Sequence, residues 1–130
     1  LEFRRVLFRS DSVGVGIASN NRNGTVRFVT EHFGWGRHVD AFHGREPTLT
    51  GYSRKKPDPH ILDLTISDLA VQPSKALFVG DRLTDVQAAN RAGVDAALLV
   101  RRGDRPKGDT EPEILVSSLR EVLDLVLDTE

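Results

Sequence analysis

Ala76-Leu77-Phe78-Val79-Gly80-Asp81-Arg82-Leu83-Thr84-Asp85 is the stretch on which the fold turns. Four apolar residues bounded by turn-forming ones read as a short buried strand. Gly80 lets the backbone turn sharply after it. Two carboxylates, Asp81 and Asp85, then straddle the entry to a helix expected over Leu83–Ala92. Val86, Ala89 and Ala92 point inward on that helix, and Gly93 closes it.

The same alternation continues on both sides. Downstream, Ala96–Val100 is a further strand, Arg101–Glu111 a charged loop and Ile114–Val116 a short last strand. A final helix follows, with Ser118 and Glu121 placed as a capping box and Leu119, Val122, Leu123 and Val126 as its apolar face. Upstream, Pro57-Asp58-Pro59 suits the first turn of a helix that runs to about Leu69. Residues 35–55 lack periodicity and read as loop, with a short strand near Ala41-Phe42. A helix from Asn23 sets Val26, Val29 and Phe33 on one face and ends at Gly34. Before it, Val13–Ala18 is a buried strand ending in a polar turn, Ser19-Asn20-Asn21. Strands alternating with helices mean βαβ units and a parallel sheet, an α/β fold. In such sheets ligands sit beyond the carboxyl ends of the strands, where Ser19-Asn20 and Asp81 both fall.

Composition bounds the function. The 130 residues suffice for one small domain. A hydrophobic share of 38% with 28% charged is that of a globular protein, and a net charge of −1 offers no basic field for nucleic acid. The chain contains no cysteine, which excludes disulfides, zinc–thiolate sites and thiol catalysis and fits a reducing cytoplasm. No apolar run approaches the roughly 20 residues needed to span a bilayer.

Residues 1–10 (LEFRRVLFRS) stand apart. Glu2–Ser10 resembles the translation of a common sequencing-library adapter, so the segment is set aside as non-native, leaving residues 11–130 as the natural part. Removing it takes away three basic residues and one acidic one, so the remainder is mildly acidic.

Three short motifs carry chemistry. Asp81 and Asp85 offer paired hard oxygen ligands of the kind Mg²⁺ takes alongside water; they could equally be a helix cap and a first-turn dipole residue. Lys56, held before Pro57, can aim an ammonium at a phosphate, or be one solvated member of the basic run Arg54-Lys55-Lys56. Ser19 and Asn20 offer a hydroxyl and backbone N–H groups at a helix start, either an anion cradle or a plain N-cap.

Together, in this order and at strand ends, IASNN, KKPDP and LFVGDRLTD resemble motifs II, III and IV of the haloacid dehalogenase superfamily, and AANRAGVDA matches the helix that follows motif IV. The resemblance spans about residues 13–127 and is closest to the phosphoglycolate phosphatase-like branch. It implies a three-layer Rossmann-like parallel sheet. It also implies that Ser19 and the backbone around Asn20 hold phosphate, that Lys56 (or, less well placed, Lys55) neutralises it and the nucleophile, and that Asp81 and Asp85 serve Mg²⁺.

One part is missing. The family's motif I, Asp-x-Asp, supplies the nucleophile and the general acid/base on a strand between those of motifs II and IV, and no Asp-x-Asp precedes Ser19. The sheet is therefore expected to be incomplete, without the motif I strand or a cap domain. Residues 11–130 would then be the C-terminal part of the core of a cytoplasmic, Mg²⁺-dependent phosphohydrolase. That enzyme would act on a small phosphorylated metabolite through an aspartyl phosphate, and this chain alone would be inactive. Two other readings remain: a metal-independent dehalogenase, which usually lacks the Gly-Asp-x-x-x-Asp arrangement, and a receiver-like phospho-switch, whose acidic pair would follow an early strand rather than a late one.

Overall fold

A computed structural model describes residues 13–34, 39–100 and 106–128. Residues 1–10, much of the charged loop expected at 101–111, and residues 35–38 lie outside that description. Among the described residues, five strands and five α-helices follow in order: β1 Gly16–Arg22, α1 Asn23–His32, β2 Ala41–Arg45, α2 Leu49–Ser53, α3 His60–Leu69, β3 Leu77–Gly80, α4 Leu83–Ala92, β4 Asp95–Leu99, β5 Ile114–Val116 and α5 Leu119–Asp128, with a 3-10 turn at Pro73–Lys75 between α3 and β3.

All pairing is parallel, as alternating strands and helices require. The strands form two sheets, β1-β2 and β3-β4-β5. β3 runs beside β4 from Leu77 opposite Asp95 to Gly80 opposite Leu98, and β4 continues beside β5. The expected incomplete sheet thus takes the form of two separate ladders.

Side-chain alternation shows how the helices cover them. Successive strand residues point to opposite faces. Ala18, Phe78, Ala96 and Leu98 share one cluster with Ile61, Leu62 and Ile66 of α3 and Val86, Ala88 and Ala89 of α4. Their neighbours point the other way. Ile17 packs with Val26 of α1, while Ala97 and Leu99 pack with Val116 and Val122. The result is three layers, with α3 and α4 on one face and α1 and α5 on the other. The core is continuous across both sheets on the α3–α4 face and divided into two clusters on the opposite face.

Several local expectations differ from what forms. β1 does not stop at Ala18; it stays extended through Ser19-Asn20-Asn21 to Arg22, opposite Arg45, with a register shift on the way. Asn23 holds that extension, its Oδ1 accepting from Gly44 N–H at 2.6 Å. Phe33 is exposed rather than inward, because it lies past the last helical residue as the C-cap of α1. Pro57-Asp58-Pro59 precedes α3 instead of forming its first turn, with Pro59 as N-cap. Helix α2 replaces part of the expected loop; the Thr48 hydroxyl caps it by accepting from Gly51 N–H at 2.9 Å. At α4 the two agree to the residue, down to Gly93 with its φ of 75°, a backbone state that costs glycine little.

Candidate functional site

The three motifs meet around one buried ammonium. Lys56 lies in the loop before α3 and is only 3% exposed. Its Nζ donates to Asp85 Oδ1 at 2.6 Å and to the carbonyl of Ala18, in β1, at 3.1 Å. The Phe78 ring of β3 lies 5.1 Å from the same atom, within cation–π range. An ammonium has three N–H donors, so two are engaged by protein and one is left for a ligand oxygen. Asp85 is 2% exposed; a buried ion pair of this kind stands only while both partners are present.

The neighbouring lysine is placed differently. Lys55 Nζ sits 4.0 Å from the Tyr52 ring centroid, at the surface. A hydrogen bond from Lys55 and its positive charge, with a smaller contribution from Arg45, lower the Tyr52 phenol below its ordinary pKa. Of the two candidate motif III lysines, only Lys56 is drawn into the cluster.

Asn20 turns out to hold Lys56 in place. Its Oδ1 accepts from Lys56 N–H at 2.7 Å, and its Nδ2 donates to the Lys56 carbonyl at 3.3 Å. From the α4 side, Arg91 Nη1 donates to the Pro57 carbonyl at 3.0 Å. Neither contact was legible in the sequence, since each joins residues more than thirty positions apart. The expected helix N-terminus at Ser19-Asn20 is absent, because α1 begins only at Asn23. What Ser19 offers is its hydroxyl: Oγ accepts from Asn21 N–H and from Asn21 Nδ2, both at 3.1 Å. Its own O–H therefore remains to be donated.

The two carboxylates differ in their free capacity. Asp85 has both oxygens engaged, Oδ1 by Lys56 and Oδ2 by the N–H of Arg82 at 3.2 Å. Asp81 has a buried Oδ1 without a hydrogen-bond partner among the described residues, a costly arrangement unless something else satisfies it. No cluster of three or more metal-ligating side chains forms among the described residues. Mg²⁺ does not require one, since it binds through one or two carboxylates together with water and phosphate oxygens. The unpartnered oxygen of Asp81 fits that demand.

Gly80 makes the corner possible. A Cβ added there would fall on the Asp85 carboxylate. The sequence implies a glycine here for a sharp turn, whereas the geometry requires it for room.

Comparison with known proteins follows the same outline. A family model described as "Haloacid dehalogenase-like hydrolase" matches residues 7–99. A phosphoglycolate phosphatase of Pseudomonas savastanoi pv. phaseolicola is 39% identical over 59% of this chain and 29% of its own length. A glyceraldehyde 3-phosphate phosphatase of Methanopyrus kandleri is 31% identical over 97% of this chain and 52% of its own length. The chain therefore spans about half or less of these relatives. Among solved structures, a HAD phosphatase from Thermococcus onnurineus superposes with a TM-score of 0.74 at 26% identity, covering 91% of this chain and 52% of that one.

Proposed function

The chain belongs to the haloacid dehalogenase-like hydrolase family, and we propose that it carries the phosphate- and metal-binding half of a Mg²⁺-dependent phosphohydrolase. The observation that carries this reading is the Lys56 ammonium, buried against Asp85 and Ala18, together with the unpartnered Asp81 oxygen just past the end of β3.

Each residue then has a task. The remaining N–H donor of Lys56 and the Ser19 O–H bind phosphoryl oxygens, in a setting where burial strengthens charge–charge attraction. Asn20 and Arg91 keep the Lys56 backbone in place, so the ammonium need not reorganise when phosphate arrives. Asp81 would hold Mg²⁺, with Asp85 through water; the ion, when bound, offsets phosphate charge. Asp85 has a second task, since it keeps Lys56 paired in the absence of ligand.

The nucleophile is the remaining part. The 130 residues contain no Asp-x-Asp, so the aspartate that would form an aspartyl phosphate and the general acid/base are assigned to polypeptide outside them. The relatives named above hydrolyse, by their names, phosphoglycolate and glyceraldehyde 3-phosphate. The proposed substrate class is accordingly a small phosphate monoester of the cytoplasm. No helix among the described residues is long and apolar enough to cross a membrane.

Titration with Mg²⁺ and inorganic phosphate, followed by amide NMR shifts, tests the binding half. Mg²⁺ should move signals at Asp81 and Asp85, and phosphate those at Ser19–Asn21 and Lys56, with Asp81→Asn abolishing the first set. Uniform or absent shifts would remove the reading. The chain alone should not turn over an aryl phosphate; Mg²⁺-dependent hydrolysis by the pure chain would show that the nucleophile lies within it.

A further inference from the structure

β1 runs on past Ser19 and Asn20 to Arg22, which lies opposite Arg45 at the carboxyl end of β2. Like charges opposite one another on paired strands are destabilising. Two close backbone contacts nevertheless enforce the meeting. At Gly44 a Cβ would fall on the backbone of Asn21, Arg22 and Asn23, so only glycine lets the strands close there. Gly51 is equally tight against the backbone of Glu46, and this contact sets α2 beside β2 with Tyr52 54% exposed.

A third cation joins the two. The Arg45 guanidinium carbon lies 5.6 Å from the Tyr52 ring centroid and Lys55 Nζ 4.0 Å from it. Arg45 and Lys55 are half-buried and Arg22 is exposed. None of the three is within ion-pair distance of a carboxylate among the described residues. Glu46, next to Arg45 in the chain, has its Oε1 accepting from Asn23 Nδ2 at 2.6 Å. Arg22 is also the N-cap of α1, whose first turn holds no acid, so the positive end of that helix adds to the field. The Tyr52 phenol registers the field: a hydrogen bond from Lys55 and its charge, and less strongly Arg45, hold it below its ordinary pKa.

We propose that Arg22, Arg45 and Lys55 form a second anion-binding site and that its ligand is a phosphate group. Arginine forks match phosphate oxygens two at a time, and lysine adds a point charge. Three cations suit a phosphate dianion better than a singly charged carboxylate. Contact with the Tyr52 ring already restrains Arg45 and Lys55, so little side-chain freedom is lost on binding. The site lies at the carboxyl ends of β1 and β2, where ligands gather in parallel sheets. Along β1 it is within about 10 Å of Ser19, at roughly 3.3 Å per residue, and Lys55 directly precedes Lys56. Two sources share this chemistry. One is the far end of a bisphosphorylated substrate whose near phosphate meets Ser19 and Lys56; the other is a free phosphorylated effector. The first source requires phosphate at Lys56, whereas the site itself does not.

Titration of the isotope-labelled chain with inorganic phosphate, at constant ionic strength, tests it. Amides of Arg22, Arg45 and Tyr52–Lys55 should shift saturably, with half the change at about 1 mM phosphate or less. The Tyr52 phenol should rise toward its ordinary pKa as phosphate offsets Lys55 and Arg45. Arg22→Met combined with Arg45→Met should weaken the response about tenfold or more, while Ser19–Asn21 and Lys56 still respond. Pentanediol bisphosphate, phosphorylated at both ends, separates the sources from pentyl phosphate. Binding about tenfold tighter, with both sets of amides moving together, identifies the far end of a substrate; equal affinities identify a free effector. A missing response at Ser19–Asn21 and Lys56 alone would count against phosphate at Lys56 and leave this site standing. The proposal is overturned by no saturation at Arg22, Arg45 and Tyr52–Lys55, or by the same response to sodium chloride or acetate. A response unaltered by Arg22→Met with Arg45→Met would overturn it too.

Discussion

The two faces of the sheets are built from adjacent residues yet differ in kind. On the α3–α4 face, Ala18, Ile61, Leu62, Val86 and Leu98 form one core that crosses from the first sheet to the second. On the opposite face, Ile17 with Val26 and Ala97 with Leu99, Val116 and Val122 make separate clusters. The halves are therefore joined from one side, by α3 against α4 and by the Lys56–Asp85 pair, while α1 and α5 each serve only their own sheet. Cohesion here depends less on total burial than on which side of the strands the burial lies.

The sharpest way to break this asymmetry is to remove one end of the buried pair. Asp85→Ala should cost about 3–5 kcal/mol in denaturant unfolding, because Lys56 is left as an uncompensated buried charge. Lys56→Met combined with Asp85→Leu should cost much less, since replacing both members by apolar groups is often near neutral. Equal losses in the single and double variants would show that the pair does not join the halves.

A cavity on each face makes the next comparison. Ile61→Ala, in the continuous core, should cost about 2–5 kcal/mol and lower amide protection in β1 and β4 together. Ile17→Ala, on the divided face, should loosen β1, α1 and β2 while β4 keeps its protection. Identical exchange patterns for the two would erase the distinction between the faces.

The smallest effect lies outside both cores. Lys55→Met should raise the Tyr52 phenol back toward its ordinary value, because the hydrogen bond and charge that lower it are gone. Tyr52 is the single tyrosine, so ultraviolet difference absorbance reads it directly. Stability should hardly change, in contrast to the adjacent Lys56.

What could be read from sequence follows from range of interaction. Helix α4 and its Gly93 cap were legible to the residue, because apolar spacing and a left-handed closing glycine are local signals. Strands β3, β4 and β5 were legible within a residue or so as short apolar runs. Extension of β1 through Ser19-Asn20-Asn21 was not, because a tie from Asn23 to Gly44 and pairing of Arg22 with Arg45 decide it. Phe33 was misplaced by counting a helical face one residue too far. At the site, Ser19 and Asp81 were visible as residue types at strand ends, and Lys56 and Asp85 as charged residues at helix entrances. The grip of Asn20 on the Lys56 backbone was hidden, because nothing near Asn20 announces a partner 36 residues away.

Gly80 leaves a consequence for heredity rather than for chemistry. Every missense change at its codon adds at least one carbon, and the first carbon added falls on the carboxylate that holds Lys56. No allele at that position can be conservative. In a population carrying this gene, variation should therefore be found on either side of Gly80 and be purged at it, even though a glycine is the plainest residue the gene can encode.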